Sequence, residues 1–229
     1  MKKEVIVISL GGSQIIPEGI NEKYIKDFKK IILKNKNKYK FIIVCGGGSI
    51  ARKYIEALKN QKLNTKLQSY IGIACTRTNA RFMSYFFNMD PTNGIPHTTQ
   101  TLEKDIKKQD LIFCGALEYK PNQTSDSTSA QIAKHFNASF INITNVKGLY
   151  DKNPKEHKDA KFIPEISFEE FDKIASKIAF SPGQHFVLDQ KASKIIKQNK
   201  IKTHIIGEDI NQLDNLLQKK KFIGTTISG

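Results

Sequence analysis

The chain has 229 residues, 39% of them hydrophobic, which suits one sizeable α/β core or two intimate lobes. Its net charge of +15 points to an anionic partner, but the lysines spread over almost every predicted helix in the manner of solvated faces, so nucleic acid is not the expected partner. No apolar run is long enough to span a membrane, and the apolar run after Met-Lys-Lys-Glu is too short for a secretory segment.

Val5–Leu10 is a continuous apolar run ended by Gly11-Gly12-Ser13. It reads as a buried, parallel strand followed by a glycine turn. Asn21 is placed to cap a helix whose apolar face is Tyr24, Ile25, Phe28, Ile32 and Leu33. Phe41–Val44 forms a second strand that runs through Cys45 into Gly46-Gly47-Gly48, and the helix after it carries Ile50, Ala51, Tyr54, Ile55 and Leu58 inward. Glycines at such a turn let the backbone approach a ligand with no Cβ in the way. The first N–H groups of the next helix then favour an anion. Arg52, about one helical turn in, adds a cation able to fork onto a phosphate. A turn that needs glycine only for its dihedrals is the alternative reading.

Residues 70–87 read as a helix with apolar groups nearly all round, buried in the core or at a subunit interface. Arg77 in its middle then calls for a carboxylate or a ligand phosphate. Leu111–Cys114 is a short strand, followed by a polar loop from Gly115 to Thr124. A hydroxyl-rich run, Thr124–Ser129, opens a helix to about Phe136, with Ser125 or Asp126 as its N-cap. The same groups, past a strand's carboxyl end, are equally a place to bind a phosphate or organise a metal.

Ser139–Ile143 is the next strand, and Thr144–Pro154 a loop with no regular period. Pro164–Ser167 leads into a helix with Phe168, Phe171, Ile174 and Ala175 on one side. Asp189–Asn199 is helical with Ala192, Ile195 and Ile196 inward. Thr203–Ile206 and Thr225–Ile227 close the chain as strands, and between them Asp209 caps a helix bearing Leu213, Leu216 and Leu217. The strand–glycine–helix alternation predicts a parallel sheet covered on both faces. Cys45, Cys75 and Cys114 are odd in number and widely spaced, which fits a reducing cytoplasm.

Gly46, Gly48 and Ala51 satisfy G-x-G-x-x-A, but Gln61–Ala74 contains no acidic residue to hold a dinucleotide ribose. There is no G-x-x-x-x-G-K-[ST] and no G-x-S-x-G, and the five histidines show no metal-ligand spacing. The pieces that remain run in order. They are Ser9-Leu10-Gly11-Gly12-Ser13; Gly46-Gly47-Gly48 with Arg52; Ile71-Gly72-Ile73 with Thr76-Arg77-Thr78-Asn79-Ala80; and Thr124-Ser125-Asp126. Ile143-Thr144-Asn145-Val146 with Gly148 and Tyr150, Asp159-Ala160-Lys161, Leu188-Asp189 with Ala192, Lys194-Ile195-Ile196, and Gly224-Thr225 with Ile227 complete the series. This ordered set resembles the amino-acid kinase superfamily, and most closely its archaeal-type uridylate kinases.

The resemblance implies a three-layer α/β/α sandwich around a mainly parallel sheet. It implies one domain over 1–229, with an acceptor-nucleotide lobe at about 1–137 and an ATP lobe at about 138–229. It implies phosphorylation of UMP to UDP by ATP with Mg²⁺, the ion held by phosphates and water and by no dedicated protein ligand. Carried over residue by residue, Gly12, Arg52, Asp126 and Lys194 are the catalytic group. Gly46, Ser69, Thr76, Asn79, Gln123, Thr124 and Ser125 hold UMP. Ser9, Gly11, Gly12, Ser13, Gly47, Thr144, Asn145, Tyr150 and Asp151 surround ATP. Relatives form hexamers built as trimers of dimers, which would suit the apolar helix at 70–87.

The chain departs from that pattern at four places. Ser9 stands where many superfamily members carry a lysine, leaving Lys191 or Lys194 as the replacing cation. Ser69 stands where relatives hold the ribose with an Asp, and Lys147 where an Asp is usual near ATP. The segment Ala116–Gln123 is longer than the usual acceptor loop and lacks its glycines. The alternatives are a superfamily kinase with another phosphate or carboxylate acceptor, or a non-catalytic nucleotide-binding relative.

Overall fold

The computed structural model describes residues 3–90, 94–121, 123–154, 156–176 and 187–229; of the expected acceptor loop, Asn122 lies outside them. The elements run β1 (Glu4–Leu10), α1 (Gly12–Ile15), α2 (Glu22–Asn35), β2 (Tyr39–Cys45), α3 (Gly48–Asn60), α4 (Thr65–Phe86), α5 (Thr99–Lys108), β3 (Leu111–Cys114), α6 (Ser125–Phe136) and β4 (Ser139–Ile143). The chain continues through β5 (Leu149–Tyr150), β6 (Phe162–Ile163), β7 (Glu165–Ile166), α7 (Phe168–Ala175), α8 (Gln190–Asn199), β8 (Thr203–Ile206), α9 (Ile210–Leu217) and β9 (Gly224–Ile227).

Seven strands form one sheet in the order β3-β2-β1-β4-β8-β9-β7, and β5 and β6 make a separate antiparallel pair. Every neighbouring pair in the large sheet is parallel except β8 with β9. Successive residues of a strand face opposite sides. Val7 and Ile8 are both 0% exposed, and so are Ile42 and Ile43. Helices therefore cover both faces, giving the expected three layers. The apolar runs read as strands are apolar throughout because neither face meets water.

The caps follow the side chains. Asn21 accepts from Tyr24 N, Asp189 from Ala192 N and Asp209 from Asn211 N. Ser167 and Glu170 form a reciprocal box at α7. At α6 the expectation is corrected. Thr124 is the N-cap, closing a box with Ser127, while Ser125 and Asp126 lie in the first turn. Any residue of that hydroxyl- and carboxyl-rich run has a capping side chain, and the one with extended backbone wins.

Two expectations about burial are also corrected. Ile50 and Tyr54 of α3 are 37% and 52% exposed. Helix α4 is longer than expected and not buried all round, because Leu67, Tyr70 and Tyr85 are exposed. Leu63, between the two helices, is exposed as well. An amphipathic stripe marks a face to be covered and does not say by what.

Candidate active site

The strands β1 and β2 lie side by side with Leu10 opposite Cys45, so both glycine turns leave the sheet at the same edge. They touch backbone to backbone. Gly46 N donates to Leu10 O over 2.9 Å. A Cβ on Gly12 would stand 2.0 Å from Gly48 N, and one on Gly46 2.4 Å from Gly12 N. No side chain fits at either position. Gly48 has φ +68, in the left-handed region, and opens α3, whose N-cap Gly47 supplies no side-chain bond. Ser49 N donates to Ile16 O and Ala51 N to Gly47 O, which leaves the N–H groups of Gly48 and Ile50 as the ones of this first turn to meet an anion.

A cavity of about 430 Å³ opens on this floor. Its wall brings together Gly12, Ser13, Gly46, Gly47, Arg52, Ser69, Thr76, Gln123, Thr124 and Ser125, residues drawn from well-separated stretches of sequence. Among the described residues Arg52 makes one hydrogen bond, a 3.5 Å contact to Pro17 O, so its guanidinium is free to fork onto an anion at the rim. Asn79 stands behind the wall and donates to Gly46 O over 2.7 Å, which fixes the turn. Ser69 gives its hydroxyl hydrogen to Thr65 O over 2.8 Å and keeps its lone pairs as acceptors.

Thr76 and Arg77 anchor the loop after β3. Thr76 Oγ1 accepts from Ala116 N over 2.9 Å. Arg77 Nε donates to Ala116 O over 3.1 Å, and its Nη2 donates to Leu117 O. Of the two partners expected for Arg77, a carboxylate is not the one found among the described residues; two main-chain carbonyls take N–H groups of its guanidinium. Burial with no carboxylate beside it moves the Arg77 pKa down.

A buried polar chain lies under the opposite wall. Ser9 Oγ donates to Asp126 Oδ1 over 2.8 Å, and Thr124 Oγ1 donates to the Asp189 carboxylate. Asp189 Oδ1 in turn accepts from Ala192 N at the start of α8. Burial, and then the charge of Asp189, push the Asp126 carboxyl up to about 7 against the pull of the Ser9 hydrogen bond. Lys191 Nζ reaches Pro121 O, part of the cavity wall, over 3.3 Å. Lys194 is exposed, lines neither this cavity nor the next, and its charge falls on Asp172 of α7.

A second cleft, of about 410 Å³, lies past the carboxyl ends of β4 and β8. Asn145 and Tyr150 line it, as expected for the donor side. Thr144 and Asp151 do not. Thr144 N donates to Ile206 O, and Asp151 accepts from Lys161 N and closes the β5–β6 pair. Sequence reasoning missed Gly207, Glu208, Asp209 and Ile223, which complete this cleft. The glycine directly after β8 was the available signal, since open α/β sheets bind ligands at strand ends.

The amino acid kinase family matches residues 4–207, a stretch that holds both glycine turns, the polar chain and six of the ten residues lining the second cleft. The chain belongs to that family. Among its relatives is a uridylate kinase of Thermoplasma volcanium, 33% identical over 226 residues, which cover 98% of this chain and 97% of the relative. A uridylate kinase of Thermococcus kodakarensis is 32% identical over 227 residues, 97% of this chain and 98% of that one. The crystal structure of uridylate kinase from Archaeoglobus fulgidus matches with a TM-score of 0.82 and 30% identity, covering 97% of this chain and 99% of the other.

Proposed function

We propose that this amino acid kinase transfers the γ-phosphoryl group of ATP to UMP, giving UDP and ADP. The observation that carries the reading is the cavity uniting both glycine turns, Arg52, and the acceptor residues Ser69, Thr76 and Gln123–Ser125, with the Asn145–Tyr150 cleft beyond it. Uridylate kinases related over nearly the whole chain support UMP as the acceptor. On this reading residues 1–137 form the acceptor lobe and 138–229 the donor lobe.

A phosphate oxygen of UMP attacks the γ-phosphorus, and the β–γ bridging oxygen leaves with ADP. The protein's work is alignment and charge stabilisation. The N–H groups of Gly11 and Gly46 are taken by Ile143 O and Leu10 O, so those of Gly12, Ser13, Gly47 and Gly48 are the ones to face the moving oxygens. Arg52 neutralises acceptor phosphate, Asn79 keeps Gly46 in register, and Thr124 and Ser125 hold the acceptor from α6. Lys191, whose ammonium bonds to Pro121 of the cavity wall, supplies the cation that Ser9 does not, in preference to Lys194. Among the described residues no three His, Cys, Asp or Glu side chains cluster as a metal cage. Mg²⁺ would be carried by the phosphates and water and would supply charge neutralisation to the phosphoryl transfer.

Exposed Ile50, Tyr54, Leu63, Leu67 and Tyr70 support a homo-oligomer built through α3 and α4, with the hexamer of three dimers as the expected assembly. The free, buried Cys45, Cys75 and Cys114 support a reducing, cytoplasmic setting.

The test is ADP release with Mg²⁺-ATP against UMP, CMP, AMP, GMP and no acceptor. Release that depends on UMP supports the reading. Folded, ATP-binding protein that turns over no nucleotide overturns it.

A further inference from the structure

The start of the loop after β3 is pinned to α4. Gly115 packs against the α4 backbone, where a Cβ would stand 2.6 Å from Arg77 N. Thr76 and Arg77 then pin Ala116 and Leu117. Tyr119 follows. Its ring meets that of Tyr70 on α4 at 5.0 Å between centroids and 54° between planes, and Lys66 Nζ stands 5.8 Å over the Tyr70 ring. Tyr119 lines the cavity; its exposed neighbour Lys120 does not.

The cavity wall thus divides by chemistry. Glycine N–H groups and Arg52 offer contacts that suit a phosphate. Tyr119, Ile55 and Ile73 give the lining apolar groups, including an aromatic ring, that a phosphate cannot use. A planar base can use them, because every base has a π-face and stacking on an aromatic ring is worth a useful part of a ligand's affinity. Ser69 makes such a contact more necessary, since a neutral hydroxyl already engaged with Thr65 O holds a ribose less tightly than a carboxylate would.

We infer that Tyr119 is the specificity-determining residue of the acceptor cavity, packing its ring against the base of a nucleoside monophosphate and so making recognition depend on the base. Tyr70 is its positioning partner, which fixes the ring from behind. This rests on the acceptor assignment proposed above.

Calorimetric titration of UMP and of ribose 5-phosphate into wild type, Tyr119→Ala and Tyr119→Phe tests it, with ADP release measured on the same proteins. Wild type is expected to bind UMP at least ~10-fold more tightly than ribose 5-phosphate, and Tyr119→Ala to weaken UMP by ~10-fold while leaving ribose 5-phosphate unchanged. Tyr119→Phe keeps the ring and restores UMP binding. Equal binding of the two ligands by wild type, unchanged UMP affinity in Tyr119→Ala, or equal weakening of both ligands overturns the inference. If the binding pattern holds but wild type releases no ADP, the kinase reading falls and the role of Tyr119 stands.

Discussion

The Ser9 hydroxyl donates to the Asp126 carboxylate over 2.8 Å, tying the end of β1 to the first turn of α6. The partner that Ser9 offers this carboxylate is a neutral donor. The carboxyl is left with Asp189 as its charged neighbour and rises to about 7.

That shift has a sign. A carboxyl whose folded pKa lies above its unfolded value favours the fold when protonated. The contribution is complete below the usual carboxylate range and is lost as pH rises from about 4 to about 7. Asp110, Asp209 and Asp214 are shifted the other way, chiefly by hydrogen bonds from Lys3, Gln212 and Lys34, so the total profile mixes both signs. The difference between wild type and Asp126→Asn isolates this group. The variant's Tm is expected to gain on wild type steadily across that window, as followed by thermal melts at successive pH values. A constant difference would remove Asp126 as the titrating group.

Gly12→Ala and Gly46→Ala force a methyl to within 2.0 Å and 2.4 Å of backbone nitrogen. Each is expected to cost about 2 kcal/mol or more, as overpacking with no side chain able to yield does, and to abolish turnover. At Gly19 a methyl would meet nothing within 4 Å, so Gly19→Ala is expected to stay within about 0.5 kcal/mol of wild type. Urea midpoints of the three variants check the contrast.

Arg52→Ala is expected to lower kcat/KM by ~100-fold or more while leaving stability unchanged, because an exposed cation at the rim acts on developing charge rather than on the fold. Lys191→Met should reduce kcat far more than Lys194→Met. Steady-state kinetics with both substrates varied decide between the two lysines.

Arg77→Ala leaves the carbonyls of Ala116 and Leu117 without their guanidinium donor. A cost of ~1–3 kcal/mol is expected from unpaired, partly buried carbonyls, together with a raised KM for the acceptor and little change in that for ATP. Arg77→Lys should not restore the wild-type value, since an ammonium cannot reproduce the planar fork. Equal effects on both substrates would argue against a role confined to the acceptor loop.

Tyr54→Arg and Leu67→Glu place charge among the exposed apolar residues of α3 and α4. Analytical ultracentrifugation is expected to show smaller species than wild type, with each subunit still folded by circular dichroism.

The sheet was legible because its strands are buried on both faces, which leaves runs such as Ile42-Ile43-Val44 no polar interruption. Caps at Asn21 and Asp209 were legible because a short carboxyl or amide is the chemistry a helix start needs. Other features had no such signature. The two-residue strands β5, β6 and β7 are too short to show a period. Helix α5 carries only Leu102 and Ile106 as buried anchors. Arg77 misled because a carbonyl acceptor belongs to every residue and so marks none. Tyr54 misled because the side chain that covers an apolar face can belong to another molecule.

The contact between Gly12 and Gly46 also governs motion. Two turns locked main chain to main chain, each rooted in a neighbouring central strand, cannot swing apart without tearing the β1–β2 ladder. The separation of the two turns is therefore a constant of the fold, and any movement that closes on a ligand must be made by the surrounding walls.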